Sequence, residues 1–113
     1  YAAKTNRQSN TAFRGFGGPQ GVVVMEDALD RIAHHLGRDP VELRALNFYA
    51  AGRDETPYGQ TVDENHLARC WAEVKRGGEL GRRRAEIDAF NAANPVLKRG
   101  LGLFPLKFGI SFN

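Results

Sequence analysis

From Val22 to Leu36 the apolar residues fall at Val22, Met25, Leu29, Ile32 and Leu36, with Ala28 and Ala33 flanking them. Steps of three and four line one face of a helix, so the spacing predicts a first helix here. Pro19 suits its first turn, where a missing N–H costs nothing, and Gly37 is a natural stop. Asp39 precedes Pro40, with Glu42 three positions after it, a capping-box-like opening for a second helix through about Tyr49. The stretch AAGRDETPYGQ that follows is a loop on composition. Thr61 and Glu64 repeat the capping-box spacing ahead of Leu67, Trp71 and Val74, with Cys70 beside them. They predict a third helix, broken at Arg76-Gly77-Gly78. A fourth is expected from about Glu79 to Ala92, burying Leu80, Ile87 and Phe90 and ending at Asn94-Pro95.

Beyond Val96 the period changes. Leu106, Phe108, Ile110 and Phe112 alternate with Lys107, Gly109 and Ser111, which is strand periodicity, and a change of face near Phe104-Pro105 predicts a bulge. The first dozen residues are small and polar and suit an extended segment. The expected fold is therefore α+β, a mostly helical block of about four helices carried between extended or strand segments at the N- and C-termini. It is expected as a single partial domain over 1–113, with an extended segment and glycine-rich loop at 1–18, the helical block at 19–94 and a strand region at 96–113. The chain opens at Tyr1 without an initiator methionine, and its apolar alternation runs to the last residues. From both features the chain is expected to be a piece of something larger, and unpaired strand edges would open a route to self-association.

Composition narrows the setting. A chain of 113 residues folding as one domain buries roughly 65% of its unfolded surface, enough for a modest core. Hydrophobic content of 42% and charged content of 26% are globular values. The formal charge is +3, and the excess is gathered in KRGGELGRRR. Cys70 is the single cysteine, so there is no disulfide framework; it reads as a small core residue. No apolar run approaches a membrane span and no signal-peptide pattern is present, so the expected setting is the cytoplasm. His34 and His35 are neighbours on a helix and diverge by about 100°, and His66 stands alone. A metal site built from protein side chains is therefore not expected, nor is a serine–histidine–aspartate set.

Two segments carry candidate chemistry. In NTAFRGFGGPQG, four glycines and a proline occupy the seven residues Gly15–Gly21, with Phe13, Arg14 and Phe16 just ahead of or inside that run. It is neither a dinucleotide fingerprint, because Gln20 stands where a glycine is required, nor a phosphate loop, which needs Lys followed by Ser or Thr. Glycine-rich backbone entering a helix still presents N–H groups and the positive end of the helix dipole to an anion. The other reading is a tight loop whose glycines merely let it pass close to neighbouring backbone. The second segment, Lys75, Arg76 and Arg82–Arg84, admits contact with phosphates, and hence a small basic helical module binding nucleic acid. The nearby Trp71 and Phe90 sit at core-facing helical positions, however, so a solvated helix end is the preferred reading and nucleic acid is disfavoured.

The blocks TAFRGFGGPQG, MEDALDRIA, DPVELRALNFY, TPYGQTV, AFNAANPVLKRGL and KFGISF together resemble the molybdenum-binding region of the xanthine dehydrogenase and xanthine oxidase family, relatives of aldehyde oxidase. The resemblance covers nearly the whole chain, and TPYGQ and KFGISF look more like xanthine dehydrogenase, particularly the bacterial large subunit. It implies a molybdenum–pterin (molybdopterin) cofactor whose sulfurs hold the metal. Phe13, Arg14 and Gly15 would be the cofactor-binding loop, with the backbone of Arg14 near the molybdenum. Phe16 and Phe112 would pack on a purine such as hypoxanthine or xanthine. The implied reaction is hydroxylation of a purine carbon with oxygen from water, electrons leaving through 2Fe–2S clusters and FAD in other parts of the parent enzyme to NAD. The partners would be the rest of the parent subunit and the FAD/iron–sulfur subunit. The family's general-base glutamate lies outside this stretch, so no catalytic base is assigned. Two departures stand out: Asn113 occupies the position where the family usually has a substrate-facing threonine, and GLGLFPLKF lacks the usual small residue and threonine before Pro105.

Overall fold

The computed structural model describes residues 3–8 and 14–107. Four helices follow one another, α1 at Gly18–Leu36, α2 at Pro40–Ala45, α3 at Leu67–Gly77 and α4 at Leu80–Ala93. Local chemistry sets most of their ends. Pro19 lies in the first turn of α1, and Gly37 adopts the left-handed conformation, φ 61°, just past its last residue. The Arg38 N–H then returns to the Ala33 carbonyl at 2.9 Å, closing a Schellman-type end. Asp39 caps α2, its carboxylate accepting from the Val41 N–H at 2.8 Å.

The α2 helix folds back on α1 around Ala33, Val41 and Leu43, which are buried. Arg44 crosses between them and is only 5% exposed. Its guanidinium donates to the Glu26 carboxylate, to the Glu26 carbonyl at 3.4 Å and to Asp30 at 2.8 Å. Desolvation lowers the Arg44 pKa, but the bonds to Glu26 and Asp30 outweigh it and the net shift is upward. Asp39 also reaches α4, where Arg84 grips both its oxygens, one at 2.7 Å. That hydrogen bond holds the Asp39 carboxyl below the usual carboxylate range, against the opposing effect of burial. Trp71 of α3, 8% exposed, takes the edge of Phe48 at 5.2 Å between ring centroids.

Little else is covered. The accessible surface is 9858 Å², against about 6,200 Å² for a compact monomer of this mass. The radius of gyration is 17.8 Å, against about 13 Å for a compact chain of this length. The modest core expected from length is therefore smaller still. The apolar stripe of α1 is largely uncovered, with Met25, Ile32 and Leu36 exposed, because α2 packs on the side that carries Ala33 and Glu26 instead. Leu80, Ile87 and Phe90 of α4 are half-buried rather than buried. Arg99 lies over the Phe90 ring, 3.7 Å from its centroid.

Several expectations need correcting. The α2 helix ends at Ala45 rather than near Tyr49; the Asn47 side chain donates to the Leu43 carbonyl at 2.9 Å and the chain turns away. The Thr61–Glu64 pair does not open α3, because Glu64 is itself left-handed at φ 47°. Asn65 does that work, accepting from the Leu67 N–H at 3.0 Å while donating to the Tyr49 carbonyl at 2.9 Å. Cys70 is exposed, not a core residue, since one position along a helix turns it about 100° from Trp71. The β part of the α+β expectation is not seen among the described residues. Segment 96–107 forms no strand, so no bulge arises at Phe104-Pro105, and the only ladder contacts among those residues are the isolated bridges Ala50–Arg53 and Glu55–Thr61. A strand is made by hydrogen bonds to a neighbour, and alternation without one leaves irregular chain. Phe108, Ile110 and Phe112 lie outside the described residues.

Candidate functional site

Immediately ahead of α1 the backbone does something unusual. Arg14, Gly15, Phe16 and Gly17 all have positive φ, at 47°, 110°, 49° and 89°. Two of the four are glycines, which adopt such values without steric cost. Arg14 and Phe16 are not, and each holds a conformation that costs roughly 1–3 kcal/mol and persists only when its surroundings enforce it. The Gly18 N–H donates to the Gly15 carbonyl at 2.8 Å and closes the turn. Phe16 emerges 70% exposed, and Gly17, the residue capping α1, offers no side-chain cap to the first-turn N–H groups. The predicted site residues Arg14, Gly15 and Phe16 are thus brought together on one strained turn. Phe13, Phe112 and Asn113 lie outside the described residues.

Two other places draw functional side chains together. Met25 and Leu29 of α1, Trp71 and Val74 of α3 and residues 103–107 line an open groove of about 900 Å³. At its rim the Lys107 ammonium sits 3.3 Å from the hydroxyls of both Tyr49 and Tyr58. Burial lowers the Lys107 pKa, the two phenols raise it by more, and the net shift is upward. Sequence reasoning missed this cluster and the Glu26–Asp30–Arg44 cluster; in each case the partners are far apart in sequence and carry no local signal. In the basic segment, two of the five cations, Arg82 and Arg84, are engaged with the protein's own carboxylates. Arg82 bonds Glu79 and Glu86, and Arg84 is held by Asp39.

The family model described as a molybdopterin cofactor-binding domain matches residues 1–48, which contain the left-handed turn and all of α1. The chain is 44% identical over 110 residues to aldehyde oxidase 1 of Cavia porcellus, covering 97% of this chain and 8% of that protein. It is 45% identical over 108 residues to xanthine dehydrogenase 1 of Arabidopsis thaliana, 96% of this chain and 8% of the other. Xanthine dehydrogenase/oxidase of Felis catus gives 45% over 109 residues, with the same two shares. The chain belongs to the xanthine dehydrogenase and aldehyde oxidase family. It spans 8% of the length of each of these relatives.

The turn of this family member fits the cofactor its domain is described as binding. Molybdopterin is anionic and bulky, so it needs polar hydrogens and room for close approach. An uncapped helix start supplies the first. Glycine supplies the second, since a Cβ on Gly17 or Gly21 would meet nothing within 4 Å. Because the pterin's own sulfurs ligate the metal, the loop needs no cluster of side-chain ligands. No helix among the described residues is long and apolar enough to cross a membrane.

Proposed function

We propose that this chain supplies the cofactor-facing turn and one substrate-stacking ring of a xanthine dehydrogenase-type molybdenum hydroxylase acting on purines. The observation that carries the reading is Phe16, a large aromatic 70% exposed on a left-handed turn inside the segment matched to the molybdopterin-binding domain. Strain of this kind at an exposed aromatic supports a binding role rather than a packing one. When bound, the molybdenum–pterin group supplies the two-electron oxidation and the oxygen transfer. This chain's residues position. The backbone of Phe13, Arg14 and Gly15 would hold the cofactor, with that of Arg14 serving the molybdenum end. Phe16 and Phe112 grip the flat purine, each ring contact contributing about 0.5–1.5 kcal/mol beyond area burial.

In this reading residues 1–113 are one partial domain of a longer cytoplasmic enzyme. Residues 96–107 would find strand partners there from elsewhere in the subunit, which would restore the α+β character, and FAD and 2Fe–2S centres would sit in other parts of the assembly. The surface excess over a compact monomer fits a piece whose apolar faces are covered by its parent. The test is Phe16→Ala in the full-length enzyme. Xanthine KM should rise about tenfold, with molybdenum content and melting temperature unchanged. An unaltered xanthine KM would overturn the stacking role.

A further inference from the structure

Phe16 cannot hold its own conformation. At φ 49° a bulky side chain is strained, and something outside the residue must keep it there. The turn hydrogen bond from Gly18 to Gly15 is one restraint. Another is a side chain, since a Cβ built on Gly15 would lie 2.8 Å from Cδ and 3.1 Å from Cγ of Pro19. The proline ring therefore occupies the space that any side chain at position 15 needs. Proline is suited to this, because its φ is fixed and its ring cannot rotate away. It is also anchored from behind, as the first residues of a helix that Arg44 clamps at Glu26 and Asp30.

We infer that Pro19 is a positioning residue for substrate recognition: its ring closes over Gly15 and fixes the left-handed turn that presents Phe16. Nothing in this requires Pro19 to touch substrate or cofactor. Stiffness would pass from α1 through the ring to the Gly15 backbone and so to the aromatic. The inference rests on the reading that Phe16 stacks on the purine, and the test separates the two.

The full-length enzyme is prepared as wild type, Pro19→Ala, Phe16→Ala and the double variant. Binding of urate, a purine with no oxidisable ring C–H, is measured by calorimetry alongside xanthine and acetaldehyde kinetics and molybdenum content. Alanine is well tolerated at a helix start, so Pro19→Ala keeps the fold. Its urate Kd and xanthine KM are expected to rise about fivefold, within the range of one lost ring contact. Acetaldehyde, which has no ring to stack, should lose less in kcat/KM than xanthine does, and molybdenum content reports any loosening of the cofactor-facing backbone. In the Phe16→Ala background the Pro19 substitution should add nothing, because residues acting through one another are not additive. Gly15→Ala approaches the same contact from its other side and should weaken urate at least as much as Pro19→Ala. If Phe16→Ala weakens urate while Pro19→Ala does not, or if the two effects add in full, the positioning role is wrong and the stacking reading stands. If Phe16→Ala binds urate like wild type, the stacking reading falls and the positioning role falls with it.

Discussion

The α1–α2 pair and the turn ahead of it are neighbours in the chain and treat their side chains in opposite ways. In the helix pair a charged residue, Arg44, is taken out of water and given carboxylate partners on the facing helix, while small and branched apolar residues fill the space around it. In the turn the largest apolar residue is put into solvent and the backbone is bent into a conformation it does not favour. A chain organised only for its own stability would not do the second. The difference separates scaffold from site. The helix pair fixes a direction, and the turn offers an aromatic and a bare main chain along it.

The sharpest way to break that contrast is at Arg44. Arg44→Ala leaves Glu26, little exposed, without its cation. Removing one partner of a buried pair typically costs about 3 kcal/mol or more. The α2 amides should lose hydrogen-exchange protection by about two orders of magnitude. Pairing Arg44→Met with Glu26→Leu should cost less than Arg44→Ala, since an apolar pair leaves fewer charges stranded. Protection unchanged in Arg44→Ala would show that the ion cluster is not what joins the helices. Phe16→Ala is the counterpart. At an exposed position its effect on stability should stay within about 0.5 kcal/mol, while its effect on purine KM is the large one.

What the sequence revealed follows the same division. The ends of α1 and the start of α2 were legible because Pro19, Gly37 and Asp39–Pro40 act on atoms a few residues away. The glycine run was legible as a special backbone for the same reason. The early end of α2 was not, because Phe48 leaves the helix to meet Trp71, a partner more than twenty positions on. The opening of α3 was read from Thr61 and Glu64, yet Asn65 opens it, tied by its second hydrogen bond to the far-off Tyr49 carbonyl. The α1 stripe was legible as a stripe but not as an exposed one, since periodicity names a face without naming what covers it. The Arg44 cluster and the Lys107–tyrosine cluster have no local spacing at all.

A gentler test of the scaffold uses acid. The Arg84 hydrogen bond depresses the Asp39 pKa in the fold. A carboxylate with a depressed folded pKa contributes stability that is fully present above its unfolded value, near pH 4, and is lost as pH falls through the folded value. The α2–α4 link should therefore hold at neutral pH and loosen only below about pH 4. Asp39→Asn should remove that part of the acid response while keeping a cap on Val41, since asparagine serves at an N-cap about as well as aspartate. An Asp39→Asn variant with the same stability slope as wild type between pH 4 and pH 2 would show that the link contributes nothing.

The smallest effect is expected where charge is most conspicuous. Arg82 to Arg84 look like a nucleic-acid patch in sequence. In the fold Arg82 lies between Glu79 and Glu86, and Arg84 answers Asp39. Paired cations of this kind leave little net field beyond a Debye length, and the nearby rings are not offered for stacking, with Trp71 buried and Phe90 under Arg99. Binding to a labelled oligonucleotide should accordingly be weak and should change little when Arg82 and Arg83 are both replaced by alanine. A binder that neutralises several phosphates loses affinity steeply with salt. Micromolar binding with a steep salt slope, abolished by that double substitution, would turn the scaffold end of the molecule into a second site and dissolve the division drawn above.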